Sequence, residues 1–205
     1  MPRKAQTEVI SIVLLTGIII SLVGAAYMWG IPLINKRTAV TDFLAAEDFV
    51  VKLDQKIVEI ANAGSGEAAL DIPNGLIRVI DYDSILPDKN SIILEKIVKQ
   101  PLILSNSVIL KTNVLGENGT YGEAEPRIIN LSSESYGSDY RLIFTLHYRE
   151  LDTSKEPLKG YLITLKTGEI AGTSRVVVSY DGTDVSGTAK NGGPLVRTRI
   201  KVSVV

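Results

Sequence analysis

The sequence lacks cysteine and contains a single histidine, His147, in 205 residues. Without cysteine, the chain cannot form a disulfide framework, a zinc ribbon, an iron–sulfur site or a thiol nucleophile. A single histidine also excludes a metal site built from several imidazole ligands. Neither sign of charge is in clear excess, because the chain has 22 Lys and Arg and 23 Asp and Glu. This balance argues against a chain that binds nucleic acid by electrostatic attraction.

Motifs of catalytic and cofactor sites are missing as well. The sequence has no phosphate-binding glycine loop, no Gly-x-Ser-x-Gly elbow and no paired metal ligands. His147 has no patterned acid or nucleophile near it in sequence, as a general base would need. Residues 81–84 and 181–184 are acidic, but they lack the spacing of a calcium loop and are typical of turns. We therefore expect no enzymatic activity, no cofactor and no metal.

Charge is also absent from residues 9–35, between Glu8 and Lys36. As a helix this run would reach about 40 Å, which exceeds the roughly 30 Å hydrocarbon core of a bilayer. The run favours a membrane-inserted segment, which leaves a permanent anchor, a filament-building helix or a secretory signal as alternatives. A secretory signal has an apolar region of only about 7 to 15 residues, although a cut near Ala25 is conceivable.

The residues just before the apolar run carry a processing pattern. The segment Arg3-Lys4-Ala5-Gln6-Thr7-Glu8 places two cations, a small residue, Gln and an acid against the run. Over residues 1–60 the chain resembles archaeal type IV pilins and archaellins, which carry a class III signal peptide. The resemblance implies that a prepilin peptidase cuts between Ala5 and Gln6, removes leader 1–5 and leaves the C-terminal region outside the cell.

The resemblance also implies that Glu8 pairs with the terminal amine of a neighbouring subunit. Glu8 would be the third mature residue, whereas bacterial pilins carry this acid at the fifth position. The alternative interpretation is that Glu8 is simply an acidic residue in the first helical turn, where the helix dipole favours a negative charge.

A stripe of small residues marks one face of the apolar helix. Gly17, Ser21 and Ala25 recur every four residues and would allow close approach of another helix. Pro32 removes one backbone donor and is expected to kink the helix. Together with Glu8, we assign these four residues to subunit packing.

Residues 36–63 continue the helix with an amphipathic pattern. Its apolar positions alternate steps of three and four, and we call them the heptad seam: Phe43, Ala46, Val50, Leu53, Ile57 and Ile60. The seam predicts packing on the chain's own domain or on neighbours in a filament. Gly64 and Gly66 then end a helix that we assign to 6–63, with an apolar part at 9–35.

From residue 67 onward the apolar period changes to two, which is typical of strands. We expect a hairpin about Asn74-Gly75, with strands at 69–72 and 76–80. Further strands are expected at 91–98, 102–110, 127–131, 140–148, 161–165, 175–180 and 196–204, and loops at 116–126 and 181–194. The fold class is α+β, a long N-terminal helix followed by an antiparallel β-sandwich at 67–205.

Two sequons, at Asn118 and Asn130, are candidates for N-glycosylation of an external domain. The combined interpretation is a structural subunit of a type IV pilus-like filament at the cell surface, of a kind that can serve adhesion. Its partners would be copies of itself, the prepilin peptidase with its assembly machinery, and membrane lipid before assembly, but not nucleic acid. The alternative is a single-span anchored protein with an external binding domain, such as a minor pilin or an archaellum-type anchor component.

Processing predicts the first residue of the mature protein. Protein sheared from the native cell surface should begin at Gln6, as read by N-terminal sequencing together with intact mass. A chain that keeps Met1 or Pro2 and stays with the membrane would support the anchor. A chain that begins at Ala26 would instead identify a secretory signal.

Overall fold

A computed structural model describes residues 3–100, 108–112, 118–170 and 174–205. These residues form one helix and eleven strands. The elements are α1 (Arg3–Ala63), β1 (Glu67–Asp71), β2 (Leu76–Ile80), β3 (Ser91–Val98), β4 (Val108–Lys111), β5 (Asn118–Thr120), β6 (Arg127–Tyr136), β7 (Asp139–Tyr148), β8 (Glu150–Asp152), β9 (Gly160–Ile170), β10 (Arg175–Thr188) and β11 (Pro194–Val204). The expected strand residues 102–107 and loop residues 116–117 lie outside the described part.

Helix α1 runs without interruption from the apolar half into the amphipathic half. It continues on both sides of Pro32 and ends where the sequence predicts. Gly64 follows with a φ of 63°, and its N–H donates to the Ile60 carbonyl at 3.1 Å. A left-handed glycine at this position satisfies a terminal carbonyl and stops the helix.

The strands form two sheets, so the α+β class is confirmed. A five-stranded antiparallel sheet has the order β2-β3-β7-β6-β4, and a six-stranded sheet has the order β1-β10-β11-β9-β8-β5. The expectation of an antiparallel domain is wrong for the second sheet, since β9 pairs parallel to β11 and β5 pairs parallel to β8. Apolar alternation predicts which face of a strand is buried, but it carries no information on the direction of the neighbouring strand.

The expected hairpin about Asn74-Gly75 does not form. β1 pairs with β10 and β2 pairs with β3, so the chain crosses between the sheets at this turn. A tight hairpin needs positive φ at its central residues, and neither Asn74 nor Gly75 has it. Gly75 instead allows close approach to β3, because a Cβ there would lie 2.9 Å from the Glu95 carbonyl oxygen.

The expected loop at 181–194 is largely strand. β10 continues to Thr188 and pairs with β11, with register shifts on both sides of the Thr183–Val185 pairing. Gly182 and Gly187 have φ values of 110° and 87° at these irregularities. Residues 181–194 are rich in glycine and polar residues, which is typical of loops. A bulged strand needs the same residue types.

The heptad seam packs on the chain's own domain. Ala46, Val50, Leu53, Ile57 and Ile60 are buried, and Phe43 packs against the same core. This core joins α1 to both sheets, with Phe144 and Leu131 from the five-stranded sheet and Val178 and Ile200 from the six-stranded sheet. Each large apolar side chain buried there contributes about 1.5–3 kcal/mol.

Two ion pairs fix α1 along the five-stranded sheet. Asp42 lies 2.9 Å from the buried Nζ of Lys96, and Asp54 lies 2.9 Å from Nη1 of Arg127. The Tyr148 hydroxyl donates to Oδ1 of Asp54 at 3.0 Å. Burial raises the pKa of Asp54 to about 6, although the Arg127 charge and the Tyr148 hydrogen bond both lower it.

Asp54 should make stability depend on pH. A carboxyl whose pKa is raised by folding favours the folded state most at low pH, and this contribution is lost between about 3.8 and about 6. The loss would be about 3 kcal/mol in the free energy of unfolding. The Asp54→Asn variant should therefore remove this decline, measured by denaturant unfolding of the detergent-solubilised chain at pH values across that range.

The matched control is Asp48→Asn, because Asp48 sits on the exposed face of α1, where it pairs with Lys52 at 2.8 Å. It should keep the pH dependence of the unmodified chain. An Asp54→Asn profile parallel to that of Asp48→Asn would contradict the assigned role of Asp54.

Candidate membrane and assembly segment, and a polar cleft

The N-terminal half of α1 projects from the rest of the chain. We call residues 11–38 the projecting segment; almost all its side chains are exposed, and burial begins at Ala39. Met28 and Trp29 are 83% and 78% exposed, and Ile12 and Ile34 are more than half exposed. The helix is long and apolar enough to cross a membrane, with a mean hydropathy of 2.2 in its most apolar window.

Such a surface is not stable in water by itself. Each large apolar side chain gains about 1.5–3 kcal/mol when it is removed from water, and the projecting segment exposes more than a dozen. Soluble monomers rarely expose contiguous apolar patches beyond a few hundred Å². Lipid, other protein or both must therefore cover this segment.

Two hydroxyl side chains of the projecting segment form hydrogen bonds within the helix. The Ser21 hydroxyl donates to the Gly17 carbonyl at 2.8 Å, and the Thr16 hydroxyl donates to the Ile12 carbonyl at 2.8 Å. These bonds leave no unpaired hydroxyl hydrogen on either side chain. An environment without water, such as hydrocarbon or a helix bundle, can therefore hold them.

The small-residue stripe is open to contact. Gly17, Ser21 and Ala25 are exposed, and the first two line a shallow groove with Val13 and Ile18. A Cβ on Gly17 would meet no atom within 4 Å. A larger side chain there would thus extend outward from the helix, with no other described part of the chain beside its Cβ.

Pro32 lies where the folded domain reaches back to the helix. Its carbonyl oxygen accepts a hydrogen bond at 3.3 Å from Nε2 of Gln100, a residue that follows β3 in the chain. The kink at Pro32 stays a prediction. The backbone of Ala5, Gln6 and Glu8 is part of α1, but their side chains are outside the described part, so cleavage and amine pairing also stay predictions.

The two sequons have different surroundings. Asn118 is exposed on the short strand β5, where Gly119 between it and Thr120 faces the domain. A Cβ on Gly119 would lie 2.9 Å from Leu151, so the strand can pack this closely only with glycine. Asn130 is half buried in β6, and its amide oxygen is buried without a hydrogen-bond partner.

Both sequon asparagines line one cavity of about 460 Å³, which we call the polar cleft. Its floor is the outer face of the five-stranded sheet, where Asn130 pairs with Thr145 and Ile128 pairs with His147. Walls come from the β2–β3 connection, from β5 and from the segment around Lys190. Sequence reasoning missed the cleft because its residues are scattered over many elements.

The cleft lies at the end of the domain away from the projecting segment. Along α1, Asp42 lies beside Lys96, and Asp54, about 18 Å further, lies beside Tyr148. Tyr148 ends β7 and lines the cleft. The two candidate sites are therefore at opposite ends of the folded part.

Asn90 holds the wall of the cleft in place. Its side chain donates to the carbonyls of Tyr148 and Ile163 at 3.1 and 2.8 Å and accepts from the Leu165 N–H at 2.8 Å. Asn90 is buried with a φ of 59°, a conformation that asparagine tolerates better than most residues. It thereby joins β7 of one sheet to β9 of the other.

The acidic turns are used for internal contacts. Asp81 accepts a hydrogen bond from the Thr167 N–H at 2.6 Å, and Asp184 pairs with Arg197 at 3.1 Å. Asp181 lies 3.7 Å from Arg199. In the part of the chain that the structure describes, no three metal-ligating side chains are grouped as a metal site would require.

Comparison with protein-family models, with curated proteins and with solved structures gave no match to this chain.

The different burial of the sequons predicts selective modification. In protein from the native cell envelope, a glycan should occupy Asn118 and not Asn130, because only the first amide stands clear of the sheet. Asn118→Gln should remove the excess intact mass, and Asn130→Gln should leave it unchanged. Glycopeptide mass spectrometry that finds sugar on Asn130 alone would refute this assignment.

Proposed function

We propose that this chain is a structural subunit of an extracellular type IV pilus-like filament. The observation that supports it is one continuous helix whose first half is exposed and apolar while its second half is fixed in the chain's own core. The projecting segment would rest in the membrane after synthesis. It would then leave the lipid after cleavage between Ala5 and Gln6, covered by the same segment of neighbouring copies.

Rigid attachment of the projecting segment supports the filament. No linker separates it from the domain, since α1 continues from residue 11 into the heptad seam. The Asp42–Lys96 ion pair and the Gln100 contact with Pro32 hold the junction. Packing of the helices would therefore place every domain in a defined orientation around a filament axis.

The arrangement of the β domain is part of the proposal. Side chains from both sheets share one core cluster with α1, which supports a sandwich of two sheets closed by the helix. This domain, with its sequons, would face outward on the filament, and the C-terminal region would be extracellular.

The second candidate is a single-span protein anchored in the membrane, with an external binding domain. One observation favours it: the heptad seam is buried in the chain's own core, so only the projecting segment remains for packing with other copies. An anchor needs no further helix surface.

Filament packing predicts that enlarging the stripe weakens polymerisation. Gly17→Leu and Ser21→Leu should lower the yield of sheared filaments at least about tenfold, because each adds bulk where helices approach closely. Leucine also forms helix better than glycine, so weakening of the helix would not explain the loss. Filament yield would be measured by electron microscopy and by quantifying the sheared fraction.

Gly30→Leu is the matched control. Gly30 lies on the face of α1 opposite Ser21, and a Cβ there would also meet nothing within 4 Å. This variant should retain most filaments. Normal filaments from Gly17→Leu and Ser21→Leu would contradict the packing stripe, and absence of filaments from the unmodified chain would leave the anchor as the better proposal.

A further inference from the structure

The polar cleft lies outside the projecting segment, and it has the size of a binding site. Its volume of about 460 Å³ falls within the roughly 300–1,000 Å³ of small-ligand pockets. It lies at the far end of the domain from the projecting segment. A ligand there would not compete with membrane insertion or with helix packing.

The charges around the cleft indicate a ligand without a strong net charge. Lys89, Arg149 and Lys190 line it together with Asp88 and Glu150, so the cations exceed the anions by one. Arg149 is buried, and its Nε donates to the Glu125 carbonyl at 2.9 Å, so the side chains that remain for a ligand carry both signs. Glu150 is already engaged, because its Oε1 accepts the Lys190 backbone N–H at 2.7 Å. A strongly anionic or cationic ligand would meet repulsion as well as attraction.

The neutral groups of the cleft both donate and accept hydrogen bonds. Asn118 and Asn130 contribute amides, and Thr145 contributes a hydroxyl, all at the same cavity. Ile128 and the ring of Tyr82 add apolar surface beside them. This combination suits a ring that carries hydroxyl groups around its edge and C–H groups on its faces.

The wall of the cleft is preorganised. Asn90 ties the β2–β3 connection to β7 and β9 through three hydrogen bonds. Arg197 lies over the Tyr82 ring at 5.7 Å from its centroid and holds that wall from the side of the six-stranded sheet. A rigid wall lowers the ordering cost that weak polar ligands otherwise meet.

We propose that the polar cleft is a saccharide-binding site that accepts a neutral pyranose. Two sources can supply this chemistry. One is the first sugar of a glycan attached to Asn118 at the edge of the cleft, and the other is a free saccharide from the surroundings.

The test uses the full chain in detergent, produced without glycosylation and titrated with methyl glycosides of glucose, galactose, mannose and N-acetylglucosamine. Binding is followed by saturation-transfer NMR at up to about 10 mM, above the millimolar range of weak affinity. The unmodified chain should bind at least one glycoside. Thr145→Trp, which fills the cleft, should weaken that binding at least tenfold.

Ile143→Trp is the matched control, because residue 143 lies on the same face of β7 but outside the cleft. It should bind like the unmodified chain. Absence of binding to every glycoside, or equal binding by the Thr145→Trp and Ile143→Trp variants, would overturn the proposal.

Protein from the native envelope distinguishes the two sources. If the sugar on Asn118 fills the cleft, native protein should not bind free glycoside, and native Thr120→Ala, which removes the sequon without changing a residue of the cleft, should bind it. If the ligand is a free saccharide, native protein and native Thr120→Ala should bind equally. Both results support a saccharide site, and binding by neither native form overturns it.

Discussion

Burial of the heptad seam against both sheets is the contact on which the remaining structure depends. α1 supplies apolar side chains to a core that contains Phe144 from one sheet and Ile200 from the other. Without the helix, both sheets would expose these residues to water, at about 1.5–3 kcal/mol for each large side chain. The same contact fixes the direction in which the projecting segment leaves the domain, so folding and presentation of the apolar surface are one event.

This core also contains groups that oppose folding. Asp54 is fully buried, and its carboxylate is stabilised by a guanidinium and a phenol rather than by water. Removing one partner of a buried pair leaves an uncompensated charge, which is more costly than replacing the pair. Asp54, Arg127 and Tyr148 therefore join α1 to the sheet, while burial raises the pKa of Asp54 and disfavours its charged form.

Much of the fold could be predicted, and the failures have physical causes. The end of α1, the heptad seam and the exact limits of β3 follow from periodicity and glycine chemistry, which act within a few residues. The parallel pairing of β9 with β11 could not be predicted, because partner choice depends on contacts distant in sequence. The hairpin expected at Asn74-Gly75 does not form, because Gly75 packs closely against the Glu95 backbone. The projecting segment could be predicted from its uncharged apolar run. The polar cleft could not, because its residues come from elements that are distant in sequence.

The uninterrupted run of α1 makes the chain a lever. Beyond the Gln100 contact at Pro32, the projecting segment extends about 30 Å at 1.5 Å per residue, with no break in the helix where it emerges. A tilt of the domain by about 10° would displace the far end of the helix by roughly 5 Å, about the pitch of one helical turn. A force that tilts the domain would therefore displace the far end of the helix instead of being absorbed by a hinge.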